Sequence, residues 1–80
     1  MAKKENLREW LIEALEANKG SASIVDVCKY IWVHYEKELR MSGDLFFTWQ
    51  YDVRWAAAQL RYGGIMREAR LSPKGIWEQV

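Results

Sequence analysis

The chain has 80 residues, half of them apolar and five of them Trp, and a formal net charge of +1. This length allows one domain with a single core, and the composition excludes a disordered chain. No apolar run reaches the roughly 18 residues needed to span a bilayer, and the start lacks the apolar stretch of a secretion signal. We therefore expect a single domain over residues 1–80, located in the cytoplasm.

Reactive side chains are few. Cys28 is the single cysteine and His34 the single histidine, so neither an intramolecular disulfide nor a tetrahedral zinc site is expected. Catalytic acid pairs, a nucleophile beside a base and a Gly-rich phosphate loop after a strand are also missing. The sequence therefore predicts a protein that is not an enzyme and that uses no metal and no cofactor.

The first predicted helix covers residues 5–19, where apolar residues recur at the spacing of one buried helical face. Asn6 followed by Glu9 resembles a capping pair, and Gly20 is a natural stop. The outer face of this helix is rich in Glu and is expected to be solvated. The predicted buried face consists of Leu7, Trp10, Leu11, Ala14 and Leu15.

A minimal strand is predicted at Ala22-Ser23, and Ser23 followed by Asp26 forms a capping box that opens the second helix. Residues 41–47 then break the helical pattern at Ser42-Gly43-Asp44. A connection of that length exceeds the three or four residues of a tight helix-turn-helix. The predicted buried face of the second helix consists of Ile24, Val27, Cys28, Ile31, Tyr35 and Leu39.

The third predicted helix covers residues 48–62, with Thr48 as its N-cap. Gly63 is expected to take the left-handed conformation that ends a helix, and Gly64 to free the chain to turn. This helix has two different faces. Its core face consists of Trp49, Val53, Ala56 and Leu60. Its opposite face mixes Arg with large aromatics and consists of Tyr51, Arg54, Trp55, Ala58, Arg61 and Tyr62.

Two short runs with strand character, residues 65–69 and 76–80, flank the sequence Ser72-Pro73-Lys74-Gly75. That sequence fits a turn with Pro second and Gly fourth. Two strands around such a turn form a β-hairpin, the wing. The predicted fold class is therefore α+β and mainly helical: a winged helix-turn-helix of three helices followed by a hairpin.

The segments Val53-Arg54-Trp55-Ala56, Gly64-Ile65 and Gly75-Ile76-Trp77, with Leu60, resemble the N-terminal winged-helix domain of Mrr-type restriction endonucleases. The resemblance covers the C-terminal half of the chain, and the N-terminal half agrees only in the order of elements. It implies a DNA-associated domain, with Arg54 and Trp55 as matching helix residues and Gly75 and Trp77 as matching wing residues. A purely structural role for the two Trp residues, packing the helix against the hairpin, is the alternative. The nuclease domain is absent from this chain, so the resemblance implies no cleavage activity.

Charge is distributed unevenly: residues 53–75 hold five basic residues and one acidic residue, whereas the first predicted helix is acidic. Such a molecule orients its basic part towards a polyanion. The leading hypothesis is binding of duplex DNA by the helix 48–62 and the wing 65–80. The candidate DNA-binding residues are Gln50, Arg54, Gln59, Arg61, Arg67, Arg70 and Lys74.

The alternative hypothesis is a protein-interaction module or a homodimer that uses Tyr51, Trp55 and Tyr62. Tyr and Trp beside Arg are the residue types that dominate protein interfaces. Exposure of these three aromatics would favour a partner surface, whereas their burial would leave the Arg residues as the functional groups.

Overall fold

Three helices and two short strands form the fold in the computed structural model, which describes residues 2–80. The strands β1 and β2 pair antiparallel, with Ala22 opposite Trp77. This arrangement confirms the predicted fold class, a mainly helical α+β domain with winged-helix-like topology. The elements are α1 (Asn6–Ala17), β1 (Ser21–Ser23), α2 (Ile24–Arg40), α3 (Leu45–Tyr62), a 3-10 helix (Ala69–Leu71) and β2 (Ile76–Glu78).

The core lies where α1 packs across α3, and the whole predicted apolar face of α1 is buried. The predicted core face of α3 is buried as well, together with Leu45 and Ala57. Met66 and Trp77 join the same cluster. The segment after α3 and the strand β2 therefore close one side of the core, and this fixes the C-terminal segment relative to α3.

The termini of α1 agree only in part with the sequence prediction. The Asn6–Glu9 capping pair is wrong, because Asn6 is already helical and its Oδ1 accepts a hydrogen bond from the Lys3 backbone amide at 2.8 Å. The predicted stop at Gly20 is confirmed. Gly20 has φ +93° and its amide donates to the Leu15 carbonyl at 2.7 Å, the closing bond of a helix C-terminus.

Helix α2 begins as predicted, with Ser23 Oγ accepting a hydrogen bond from the Asp26 amide at 3.0 Å. Tyr35 interrupts it with φ −130° and ψ 19°. The Tyr35 ring stacks on Trp10 with ring centroids 4.0 Å apart, and its hydroxyl donates a hydrogen bond to Glu13. The interruption therefore coincides with the place where α2 is held against α1. Within the predicted buried face, Ile24, Cys28 and Tyr35 are only half-buried.

Ionisation of Tyr35 is expected to destabilise the fold at high pH. Burial and then the hydrogen bond to Glu13 raise the pKa of Tyr35 to about 12. Because the folded pKa lies above the ordinary value of 10.0, the stabilisation is complete below about pH 10 and is lost as the pH rises towards about 12. Urea unfolding of the wild type and of Tyr35→Phe across this range measures the effect. The Tyr35→Phe variant should lack this part of the alkaline decline, and an equal decline in both proteins would contradict the assignment.

The connection between α2 and α3 is shorter than predicted, because α3 begins at Leu45 and only residues 41–44 intervene. Thr48 is therefore not the N-cap; it lies inside the helix and its Oγ1 donates to Asp52 at 2.7 Å. Ser42 lies in this connection: it is buried, accepts a hydrogen bond from the Ala2 amide and donates one to the Glu38 carbonyl. Its own carbonyl accepts a hydrogen bond from the amide of Leu45, the first residue of α3, at 3.2 Å. Four residues is the length of a tight helix-turn-helix connection.

Helix α3 ends at Tyr62 as predicted, but the left-handed glycine lies one residue later than predicted. Gly63 has φ −80°, in the right-handed region, and the left-handed residue is Gly64 with φ +79°. The Ile65 amide then donates to the Leu60 carbonyl at 2.9 Å. The chain thus reverses at Gly64 and brings Met66 into the core.

The wing is less regular than the predicted hairpin. The predicted strand 65–69 is reduced to a bridge between Met66 and Gln79, and a 3-10 helix starts at Ala69. Strand β2 pairs mainly with β1, which takes up the backbone hydrogen bonds along one edge of β2. The turn is also displaced by one residue: the Ile76 amide donates to the Pro73 carbonyl at 3.1 Å, and Gly75, with φ +78°, is third instead of fourth.

Candidate nucleic-acid interface

A groove between α3 and the segment 69–77, here called the wing groove, gathers most of the candidate basic residues. Arg54 and Arg61 lie seven positions apart on α3, which places them on the same side of the helix. Arg70 comes from the 3-10 helix and Lys74 from the turn before β2. Among residues 2–80, no acidic residue lines the groove, although Glu68 forms an ion pair with Arg70. Its lining residues are Ile24, Arg54, Arg61, Ala69, Arg70, Ser72, Pro73, Lys74, Gly75, Ile76 and Trp77.

The four cations of the wing groove differ in the hydrogen bonds and ion pairs that their side chains form. Arg61 Nε donates to the Arg67 carbonyl at 3.3 Å, which directs this side chain towards the wing. Arg70 forms an ion pair with Glu68 at 2.7 Å, and both side chains are exposed. An exposed pair of this kind contributes little free energy, so a phosphate can replace Glu68 at small cost. Arg54 and Lys74 form no ion pair with any of residues 2–80.

A second groove, the α2–α3 groove, adjoins the wing groove because both are lined by Ile24 and Arg54. Its walls add the aromatic rings of Trp32, Phe46 and Trp49 and the polar heads of Lys29 and Gln50. Trp32 and Trp49 stack with ring centroids 6.2 Å apart. Arg54 therefore lies at the junction of two grooves, one mainly basic and one mainly aromatic.

Cys28 lines the α2–α3 groove and is half-buried, where the sequence predicted a core residue. Burial raises the pKa of the Cys28 thiol, and the positive charge of Arg54 lowers it by a smaller amount. The thiol is therefore held in its protonated, less nucleophilic form. This environment agrees with a structural role for Cys28 as part of the lining of the α2–α3 groove.

The structure brings together most, though not all, of the predicted DNA-binding residues. Gln50, Arg54 and Arg61 share one side of α3. Arg54, Arg61, Arg70 and Lys74 line the wing groove, and Gln50 lines the adjoining α2–α3 groove. Gln59 lies about 140° around the helix axis from Arg54 and lines neither groove. Arg67 is exposed and contributes its carbonyl to Arg61, but its side chain lines neither groove.

The aromatic residues on the outer face of α3 have unequal exposure. Tyr51 is 77% exposed and Tyr62 is 96% exposed. Trp55 is half-buried, with Lys4 Nζ 4.4 Å and the Arg8 guanidinium carbon 5.9 Å from its ring centroid. Of the three predicted interface aromatics, two are therefore free, and the third is covered by the N-terminal segment.

Phe47 is a surface residue that the sequence analysis missed, because it placed Phe47 in a loop outside α3. It is 82% exposed and lies one helical turn before Tyr51. Its spacing of four from Tyr51 would have revealed it had the start of α3 been placed at Leu45. Phe47, Tyr51 and Tyr62 together form an exposed row along α3, here called the aromatic stripe.

The two Trp residues of the resemblance have different environments. Trp77 is 5% exposed and belongs to the core through β2. Trp55 packs on the edge of the core and lies beneath Lys4 and Arg8. Trp77 thus acts as the structural anchor of the wing segment, while Trp55 holds cations beside the outer face of α3.

Within residues 2–80, no three His, Cys, Asp or Glu side chains cluster in a way that would hold a metal ion. None of the helices in this described range combines the length and apolar character needed to cross a membrane.

Comparisons of the chain with protein-family models, with curated proteins and with solved structures gave no match. The similarity to the Mrr-type domain therefore stays a prediction.

Proposed function

We propose that this protein binds duplex DNA, with α3 in the major groove and the wing segment against the sugar-phosphate backbone. The observation that carries the proposal is the wing groove, which gathers four cations from three separate elements and is lined by no acidic residue. Four converging cations, of which only Arg70 has an ion-pair partner among residues 2–80, favour a polyanionic ligand.

Helix α3 has the position that such a role requires. It follows a four-residue connection, as the second helix of a tight helix-turn-helix does, and one long side of it is open to solvent. Gln50 and Arg54 lie on that side one turn apart. Arg and Gln are side chains that form paired hydrogen bonds to guanine and adenine edges. The resemblance of the Arg54 segment to an Mrr-type domain supports the same ligand.

Binding should depend strongly on salt if the wing groove contacts phosphates. Each neutralised phosphate contributes about 0.9 to the slope of log K against log salt concentration, so four contacts predict a slope steeper than about −3. Fluorescence anisotropy of a labelled 20-bp random duplex, titrated between roughly 50 and 200 mM salt, measures this slope. Absence of binding at roughly 50 μM protein in the lowest salt would overturn the proposal.

A second candidate function, self-association through the aromatic stripe, is favoured by the exposure of Phe47, Tyr51 and Tyr62. Large exposed aromatics in one row are typical of protein interfaces. The stripe lies on the side of α3 that the proposed function places in DNA. A homodimer formed through it would therefore compete with duplex binding.

Sedimentation velocity over a concentration series tests the second candidate. A homodimer predicts a mass that rises with concentration, a Tyr51→Ala/Tyr62→Ala variant that stays monomeric, and dissociation of the dimer by added duplex. Val33→Ala is the control, since Val33 is an apolar residue with an exposure of 75%, close to the 77% of Tyr51, but lies on α2. A monomer at every concentration would exclude this function.

A further inference from the structure

The N-terminal segment carries two cations that the sequence analysis did not assign to any site. Lys4 and Arg8 are both exposed, and both lie over the ring of Trp55 on α3. Neither forms an ion pair with another of residues 2–80.

The position of this pair is defined relative to the wing groove. Trp55 lies about 100° around the axis of α3 from Arg54, and Arg61 lies about 20° from Arg54 in the opposite direction. The aromatic stripe occupies the angle between Arg54 and Trp55. The open side of α3 is thus bordered by cations along both edges: Lys4 and Arg8 on one, the wing-groove cations on the other.

We propose that Lys4 and Arg8 form a second phosphate-binding edge, which contacts the DNA strand across the major groove from the strand that the wing groove contacts. This inference rests on the proposed function. The major groove is about 12 Å wide, close to the diameter of a helix with its side chains, so phosphates border an inserted helix on both sides. Cations along both edges of α3 match that arrangement.

Trp55 gives this edge a defined position. Its ring attracts Lys4 and Arg8 through cation–π contacts, which retain the positive charge and leave the N–H groups on the outer side free to donate. A side chain held in place before binding loses less conformational entropy when it meets its ligand. The contact with Trp55 therefore prepares both cations for phosphate binding.

Salt-dependent anisotropy of the random duplex tests the inference with Lys4→Ala/Arg8→Ala. The slope of log K against log salt concentration is expected to become shallower by about 2, with affinity reduced roughly tenfold at moderate salt. Lys4→Arg/Arg8→Lys keeps both charges and should retain the wild-type slope. Thermal unfolding of each variant confirms that it is folded.

The matched control is Lys19→Asn/Lys37→Ala, which removes the same charge from exposed positions that line neither groove. Asn is used at residue 19 because Lys19 has φ +62°, a conformation that Asn tolerates. If the wild type binds the duplex, and Lys4→Ala/Arg8→Ala and the control give equal slopes of log K against log salt concentration, this inference is overturned. The proposed function would be unaffected by that result. Failure of the wild type to bind would overturn both.

Discussion

Arg54→Gln is expected to weaken duplex binding by roughly 10- to 100-fold, the largest effect of any single surface substitution in this protein. Arg54 lies where the wing groove meets the α2–α3 groove and has no ion-pair partner among residues 2–80. A phosphate or a guanine edge at that junction would therefore lose its cationic contact without replacement. Anisotropy titrations at one fixed salt concentration measure the change.

Gln59→Glu is the matched control, because it also makes the net charge more negative by one and lies on the same helix. Gln59 is about 140° around the axis from Arg54 and lines neither groove. It should weaken binding less than about threefold, the size of a non-contact charge effect. Equal losses for the two variants would indicate that binding responds to net charge alone, and the assigned surface would then be wrong.

Trp77→Ala is expected to lower the free energy of unfolding by about 3 to 5 kcal/mol, the range for removing a buried Trp from a core. Trp77 is 5% exposed, pairs with Ala22 across the sheet and packs in the core. In a domain of this size, such a loss lowers the melting temperature by more than about 12 °C. Circular dichroism during heating measures it.

Leu71→Ala provides the comparison within the same segment, since Leu71 is apolar but exposed in the 3-10 helix. It should change the free energy of unfolding by less than about 0.5 kcal/mol. If Trp77→Ala melted within a few degrees of Leu71→Ala, β2 would not be anchored to the core as described. The wing groove would then lack a fixed wall.

The parts of the fold that could be predicted from the sequence are those fixed by residues close to one another along the chain. The buried face of α1 repeats at helical spacing without interruption, and Ser23 caps α2 through a residue only three positions away. The start of α3 follows a connection that is held in part by a residue distant in sequence, Ala2. Ser42 is held by Ala2 and Glu38, and no local pattern distinguishes Leu45 in a loop from Leu45 in a first helical turn.

The same distinction applies to the candidate site. Gln50, Arg54 and Arg61 lie on one helix, so their shared side follows from spacing alone. The pairing of Lys4 and Arg8 with Trp55 is created by the packing of α1 against α3, and the sequence gives no signal for it. The first strand of the wing was predicted too long, because periodicity cannot show that this segment forms only the bridge from Met66 to Gln79 before a 3-10 helix begins at Ala69.

The pairing of β1 with β2 joins residues 21–23 to residues 76–78, and this long separation in sequence has a consequence for the order of folding. The contacts of α2 with α3 are close in sequence, whereas Ser21 must meet Glu78, which lies 57 residues later (78 − 21 = 57). Closing so long a loop lowers the conformational entropy of the chain before stabilising contacts have formed. We therefore expect the sheet to form after the transition state for folding. Trp77→Ala should then mainly accelerate unfolding and leave the refolding rate nearly unchanged.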